Sequence, residues 1–86
     1  MQEKKDPFKT DKPLIDYRIE YDYSHLPKDL IEIIKELEEY DKDGDWFNYD
    51  MRFPILDINA KSYWRNNRIT EYDYKTLLKK YGWIYD

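Results

Sequence analysis

The 86-residue chain has no cysteine, which excludes disulfide frameworks, thiolate metal sites and cysteine nucleophiles. It has a single histidine, His25, so no site can draw two imidazoles from one chain, and its two glycines cannot form a phosphate-cradling loop. No uncharged apolar run approaches the ~20 residues of a membrane span. The amino-terminal stretch Met1-Gln2-Glu3-Lys4-Lys5-Asp6 carries no signal-peptide core. These absences predict a cytoplasmic protein with no membrane association, no cofactor and no metal. A mass of 10.8 kDa allows one small domain, and a chain this short buries only about 60–65% of the surface it exposes when unfolded.

Aromatic residues and balanced charge are abundant. Charged residues make up 40% of the chain, yet 19 acids against 15 bases leave a net charge of only −4. Disordered chains pair high charge with few aromatics, whereas here aromatics reach 19%, with ten tyrosines, three tryptophans and three phenylalanines. Each ring can bury ~150–250 Å², so the chain is expected to fold. Acid and tyrosine recur side by side, as in Asp16-Tyr17, Glu20-Tyr21-Asp22-Tyr23 and Glu71-Tyr72-Asp73-Tyr74. Most of these tyrosines are expected to bury their rings and wet their hydroxyls, and a few to serve an interface.

Residues 1–13 read as a flexible leader and 14–86 as one compact domain. From Leu14 onward, Ile15, Tyr17, Ile19, Tyr21 and Tyr23 alternate with Asp16, Arg18, Glu20 and Asp22, which predicts a half-buried strand over 14–23. That strand would pair with the Trp83-Ile84-Tyr85 tail, with a second copy or with another protein. Pro27 suits the first position of a helix whose stripe is Leu30, Ile33, Ile34, Leu37 and Tyr40. The helix ends at the Asp41-Lys42-Asp43-Gly44 turn, and Asp45 caps a second one.

Two apolar stripes run along the second helix, one of Phe47, Met51, Ile55 and Ile58, the other of Trp46, Tyr49, Phe53, Leu56, Ala60 and Trp64. A helix apolar on two sides is normally sandwiched, which predicts the centre of the domain. Pro54 predicts a kink, or a break into 46–52 and 55–65. Thr70-Glu71-Tyr72-Asp73 resembles a capping box opening a third helix on Tyr74, Leu77, Leu78 and Tyr81, closed by Gly82. The predicted fold is α+β and predominantly helical, one strand followed by three helices.

Chemical motifs are few. Asp41-Lys42-Asp43-Gly44-Asp45 opens like a calcium loop, but Trp46 and Arg52 stand where an EF-hand needs glycine and glutamate. Ser24, His25 and nearby acids are too close in sequence to form a triad, whose members converge from separate segments. The chain therefore reads as non-catalytic. Lys61, Tyr63, Trp64, Arg65 and Arg68, then Lys75, Lys79 and Lys80, support a helix-turn-helix-like DNA-binding regulator as an alternative. Glu71 and Asp73 at the start of its recognition helix, together with the acidic balance, argue against nucleic acid as a partner. A homodimeric structural module joined through the strand is the third reading.

The stretch Ala60 to Gly82, with Asn66-Asn67-Arg68-Ile69-Thr70-Glu71 at its turn, resembles the short helical hairpins that end many small bacterial proteins. The lysine-, isoleucine-, asparagine- and tyrosine-rich composition is similar to that of small proteins of AT-rich Gram-positive bacteria and their phages. Among such chains, the small acidic kind without catalytic motifs resembles phage-encoded inhibitors of host defence, including anti-CRISPR proteins. The resemblance implies a stoichiometric inhibitor that occupies a basic surface on a host nucleic-acid enzyme. The expected contacts are Asp16, Glu20 and Asp22 on the polar side of the strand, Asp41, Asp43 and Asp45 in the first interhelical turn, and Tyr72.

Overall fold

The computed structural model describes residues 12–85, so the leader expected over 1–13 falls almost wholly outside the described residues. Three helices follow in order: α1 (Lys28–Lys42), α2 (Trp46–Arg65) and α3 (Glu71–Gly82). α2 packs against both α1 and α3. Leu30, Ile33, Ile34 and Leu37 of α1 meet Tyr49, Leu56 and Ala60 of α2 and Tyr74, Leu77 and Tyr81 of α3 in one core. The Trp64 and Tyr74 rings stack across the α2–α3 contact, centroids 5.0 Å apart. Helix ends follow local chemistry. Asp45 accepts the Asn48 amide at 3.1 Å, and Thr70 and Asp73 make both arms of a capping box. Pro27 sits one position earlier than predicted, as the cap before Lys28.

The predicted strand over 14–23 is not formed, and no strand occurs among the described residues, so the fold is three helices and not a strand followed by three. The alternation breaks at its start, since neighbours Ile15 and Asp16 are both buried while Tyr17 is exposed. The segment is tied to α1 and α3 by individual hydrogen bonds and not by a ladder. The Asp16 amide donates to the Lys80 carbonyl at 2.8 Å, Lys80 Nζ donates to the Ile19 carbonyl at 2.8 Å, and the Leu14 amide donates to Asp41 at 2.6 Å. The tail joins in through side chains: Trp83 Nε1 donates to the Leu14 carbonyl at 3.0 Å and the Tyr85 hydroxyl donates to Asp16. A homodimer joined through a 14–23 strand therefore has no strand to run through.

Pro54 does not break α2, which is continuous from Trp46 to Arg65. The proline and Asp50, whose carbonyl loses its helical donor, are both exposed, so water can serve the orphaned oxygen.

Gly82 has a different role from the expected one. The left-handed residue that closes α3 is Trp83, at φ 55°, while Gly82 is the last helical residue. A Cβ on Gly82 would lie 2.3 Å from Cζ of the Phe53 ring. The glycine thus lets α3 approach α2. Gly82→Ala is expected to destabilise the domain by about 1–3 kcal/mol through overpacking, despite alanine's better helix propensity. Urea denaturation would measure it, and a neutral or stabilising result would mean that the Phe53 ring yields freely.

Candidate protein-binding face

The tyrosine–acid pattern resolves into a set of internal hydrogen bonds. Tyr21 donates to Asp73 at 2.7 Å, Tyr23 to Glu38 at 3.0 Å, Tyr63 to Asp29 at 2.8 Å and Tyr74 to Asp57 at 2.7 Å. Tyr17 donates to Asp41 and Tyr85 to Asp16. Most join segments far apart in sequence, so these acids clamp the fold as well as solvate it. Burial, then the neighbouring Asp73 carboxylate, pushes the Tyr21 hydroxyl well above its ordinary pKa.

The acids expected to meet a partner divide accordingly. Asp16 is buried, and its pairing with Arg18 and then Tyr85 holds its carboxyl well below the usual range. Asp41 accepts from Leu14 and Tyr17, and Asp45 caps α2. Glu20, Asp22 and Asp43 remain exposed, although Asp22 also accepts the Ser24 amide at 2.9 Å. Tyr72 projects from α3 with 68% exposure, its ring 6.3 Å from that of Tyr21. Asp43 and Asp45 lie between α1 and α2, with Asp41 just before them in the last turn of α1, whereas Asp16 bonds the tail through Tyr85 and Tyr72 is in the first turn of α3.

A second cluster centres on Asp73, which is buried at the start of α3. It accepts from Tyr21 at 2.7 Å, His25 Nε2 at 2.8 Å and the Thr70 amide at 3.1 Å. Burial pushes its carboxyl upward, but the bonds from Tyr21, His25 and Thr70 outweigh it and bring the pKa down to about 2. His25 is thereby fixed on an acid, as in a catalytic dyad. No hydrogen bond brings a serine or threonine hydroxyl to the imidazole among the described residues.

The most conspicuous surface is one that composition alone did not single out. α2 was expected to bury both of its apolar stripes, and the structure buries one and leaves the other largely exposed. Tyr49, Leu56 and Ala60 are buried, with Trp46, Phe53 and Trp64 half-buried beside them. On the opposite side Met51 is 66%, Ile58 63%, Phe47 44% and Ile55 39% exposed. The cause is geometric: α1 and α3 both pack on the same side of α2. Comparison with known protein families, curated proteins and solved structures finds no match.

Charged groups flank the outward stripe. At 100° per residue, Asp50 and Lys61 fall on one flank, three turns apart, with Asn48 and Asn59 on the other. Arg52 is held towards α1 by Glu36, with Nε 2.8 Å from its carboxylate. Arg65 closes the helix at the basic end, and Asp43 lies exposed just before the acidic end. Among the described residues no helix is long and apolar enough to cross a membrane.

Proposed function

We propose that this chain is a small non-catalytic protein-binding module whose contact face is the outward side of α2. The observation that carries the proposal is the line of Met51, Ile55 and Ile58, large apolar side chains left exposed on a helix whose other side already fills the core. Scattered exposed apolar residues are ordinary, but a continuous line along one helix, rimmed by polar and charged side chains, is the pattern of an interaction site. Much of the acidic surface is engaged internally, which favours this apolar face over the acids as the main source of contact.

Site-specific photo-cross-linking in cells tests the assignment. A benzophenone side chain at Met51 is expected to give discrete protein adducts, to itself or to another chain, while the same group at exposed Lys35 on α1 gives few. Equal labelling at both positions would sink the proposal.

A further inference from the structure

We propose that the outward face of α2 receives a second copy of this chain, the two α2 helices lying antiparallel about a two-fold axis near Ile55. This inference rests on the protein-binding reading of the face and names its partner.

The first support is the symmetry of the stripe. Met51 and Ile58 lie four residues before and three after Ile55. An antiparallel copy therefore sets Met51 against Ile58 of the second copy, and Ile55 against its own counterpart. In a two-fold contact, if residue i meets j then j meets i, so each such pairing occurs twice.

Charge decides the direction. Asp50 and Lys61 are exposed, share one flank, and make no ion pair among the described residues. The two-fold operation that faces antiparallel helices keeps like flanks together, so Asp50 of each copy lies level with Lys61 of the other. Arg65 at the helix end likewise approaches the turn holding exposed Asp43 of the second copy, and on the opposite flank Asn48 comes level with Asn59. A parallel pairing would instead gather Asp43 and Asp50 of both copies at one end, and Lys61 and Arg65 at the other. Like charges would then sit at the same level of the pair, with no opposite charge to meet, and the helix dipoles would align.

The two faces together bury on the order of 1,000 Å², the lower end of specific interfaces, so a weak association is expected.

Sedimentation equilibrium from micromolar to millimolar concentration tests the inference, with circular dichroism to confirm folding. The wild-type chain is expected to dimerise. Ile58→Glu, at an exposed position, is expected to weaken dimerisation at least about tenfold, and Met51→Lys serves if that variant unfolds. Asp50→Lys is expected to weaken it about tenfold by opposing Lys61 of the second copy. Combining it with Lys61→Asp is expected to restore association to within about threefold, since the exchanged charges again face one another.

Loss in Ile58→Glu without rescue by the charge exchange would overturn the antiparallel arrangement and leave the face itself standing. A wild-type chain monomeric at all concentrations would overturn the second-copy inference. In that case, adducts from position 51 to a different protein would keep the binding reading, and no adduct at all would remove both. A dimer indifferent to both Ile58→Glu and Met51→Lys would likewise overturn the second-copy inference, and the adducts from position 51 would decide the binding reading in the same way.

Discussion

Asp73→Ala is expected to cost the domain about 2–4 kcal/mol, through loss of a helix cap together with buried hydrogen bonds. Asp73 closes the capping box, its Oδ2 accepting the Thr70 amide at 3.1 Å while its own amide donates to Thr70 Oγ1 at 3.0 Å. The same carboxylate holds the Tyr21 hydroxyl and His25 Nε2 on Oδ1, tying the irregular segment before α1 to the start of α3. Alanine removes the acceptor from all three donors. Asp73→Asn keeps the shape but loses the charge, and is expected to recover only part of the stability.

The pH dependence has a definite sign. A carboxyl whose pKa is brought from 3.8 to about 2 by folding contributes stability that is fully present above pH 4. That contribution is lost as pH falls through about 2. The stability difference between the wild-type chain and Asp73→Ala should therefore be flat above pH 4 and narrow below it. Comparing the two proteins separates Asp73 from Asp16 and Asp22, whose carboxyls are also lowered. A difference that stayed constant down to pH 2 would show that the carboxylate is not clamped by these donors.

Sequence reasoning succeeded where structure is local. The Leu30, Ile33, Ile34, Leu37 stripe, the Asp45 cap and the Thr70–Asp73 box depend on residues within two or three turns, and each is found in place. It failed at residues 14–23 because their partners lie far along the chain. Asp73, Lys80 and Trp83 supply the contacts a strand would have taken from a neighbour, and no periodicity records an aspartate 52 residues away. Gly82 was read as a left-handed cap because glycine usually fills that place. Its actual role depends on the Phe53 ring, a tertiary neighbour.

The candidate face was half legible. Periodicity identified both stripes of α2, but a helical wheel is blind to the side on which neighbours pack. Only the placement of α1 and α3 reveals that Tyr49, Leu56 and Ala60 turn inward while Met51 and Ile58 turn out. The internal partners of the acids were illegible for a related reason. In sequence a tyrosine beside an aspartate looks like an exposed pair, whereas in the fold the hydroxyl generally binds a carboxylate from elsewhere.

Pro54→Ala is expected to stabilise the domain by about 2–3 kcal/mol, the opposite of most point substitutions. For a chain of this size that is a rise of roughly 10–20 °C in melting temperature. The proline lies in the middle of α2, with eight helical residues before it and eleven after. It has no N–H to donate to the Asp50 carbonyl, and its ring crowds that same oxygen. Because both residues are exposed, alanine restores the bond without opening a cavity. Denaturation at concentrations too low for self-association measures the folding effect alone, and an unchanged denaturant slope would confirm that the unfolded reference has not shifted. A gain well below 1 kcal/mol would mean that the helix has already relaxed around the ring. Pro54 also borders the outward stripe, where a rigid ring adds apolar area at little conformational cost. If self-association weakens in the same variant whose folding is stabilised, the proline is serving the interface at the expense of the helix, a conflict that a purely structural α2 would have no reason to retain.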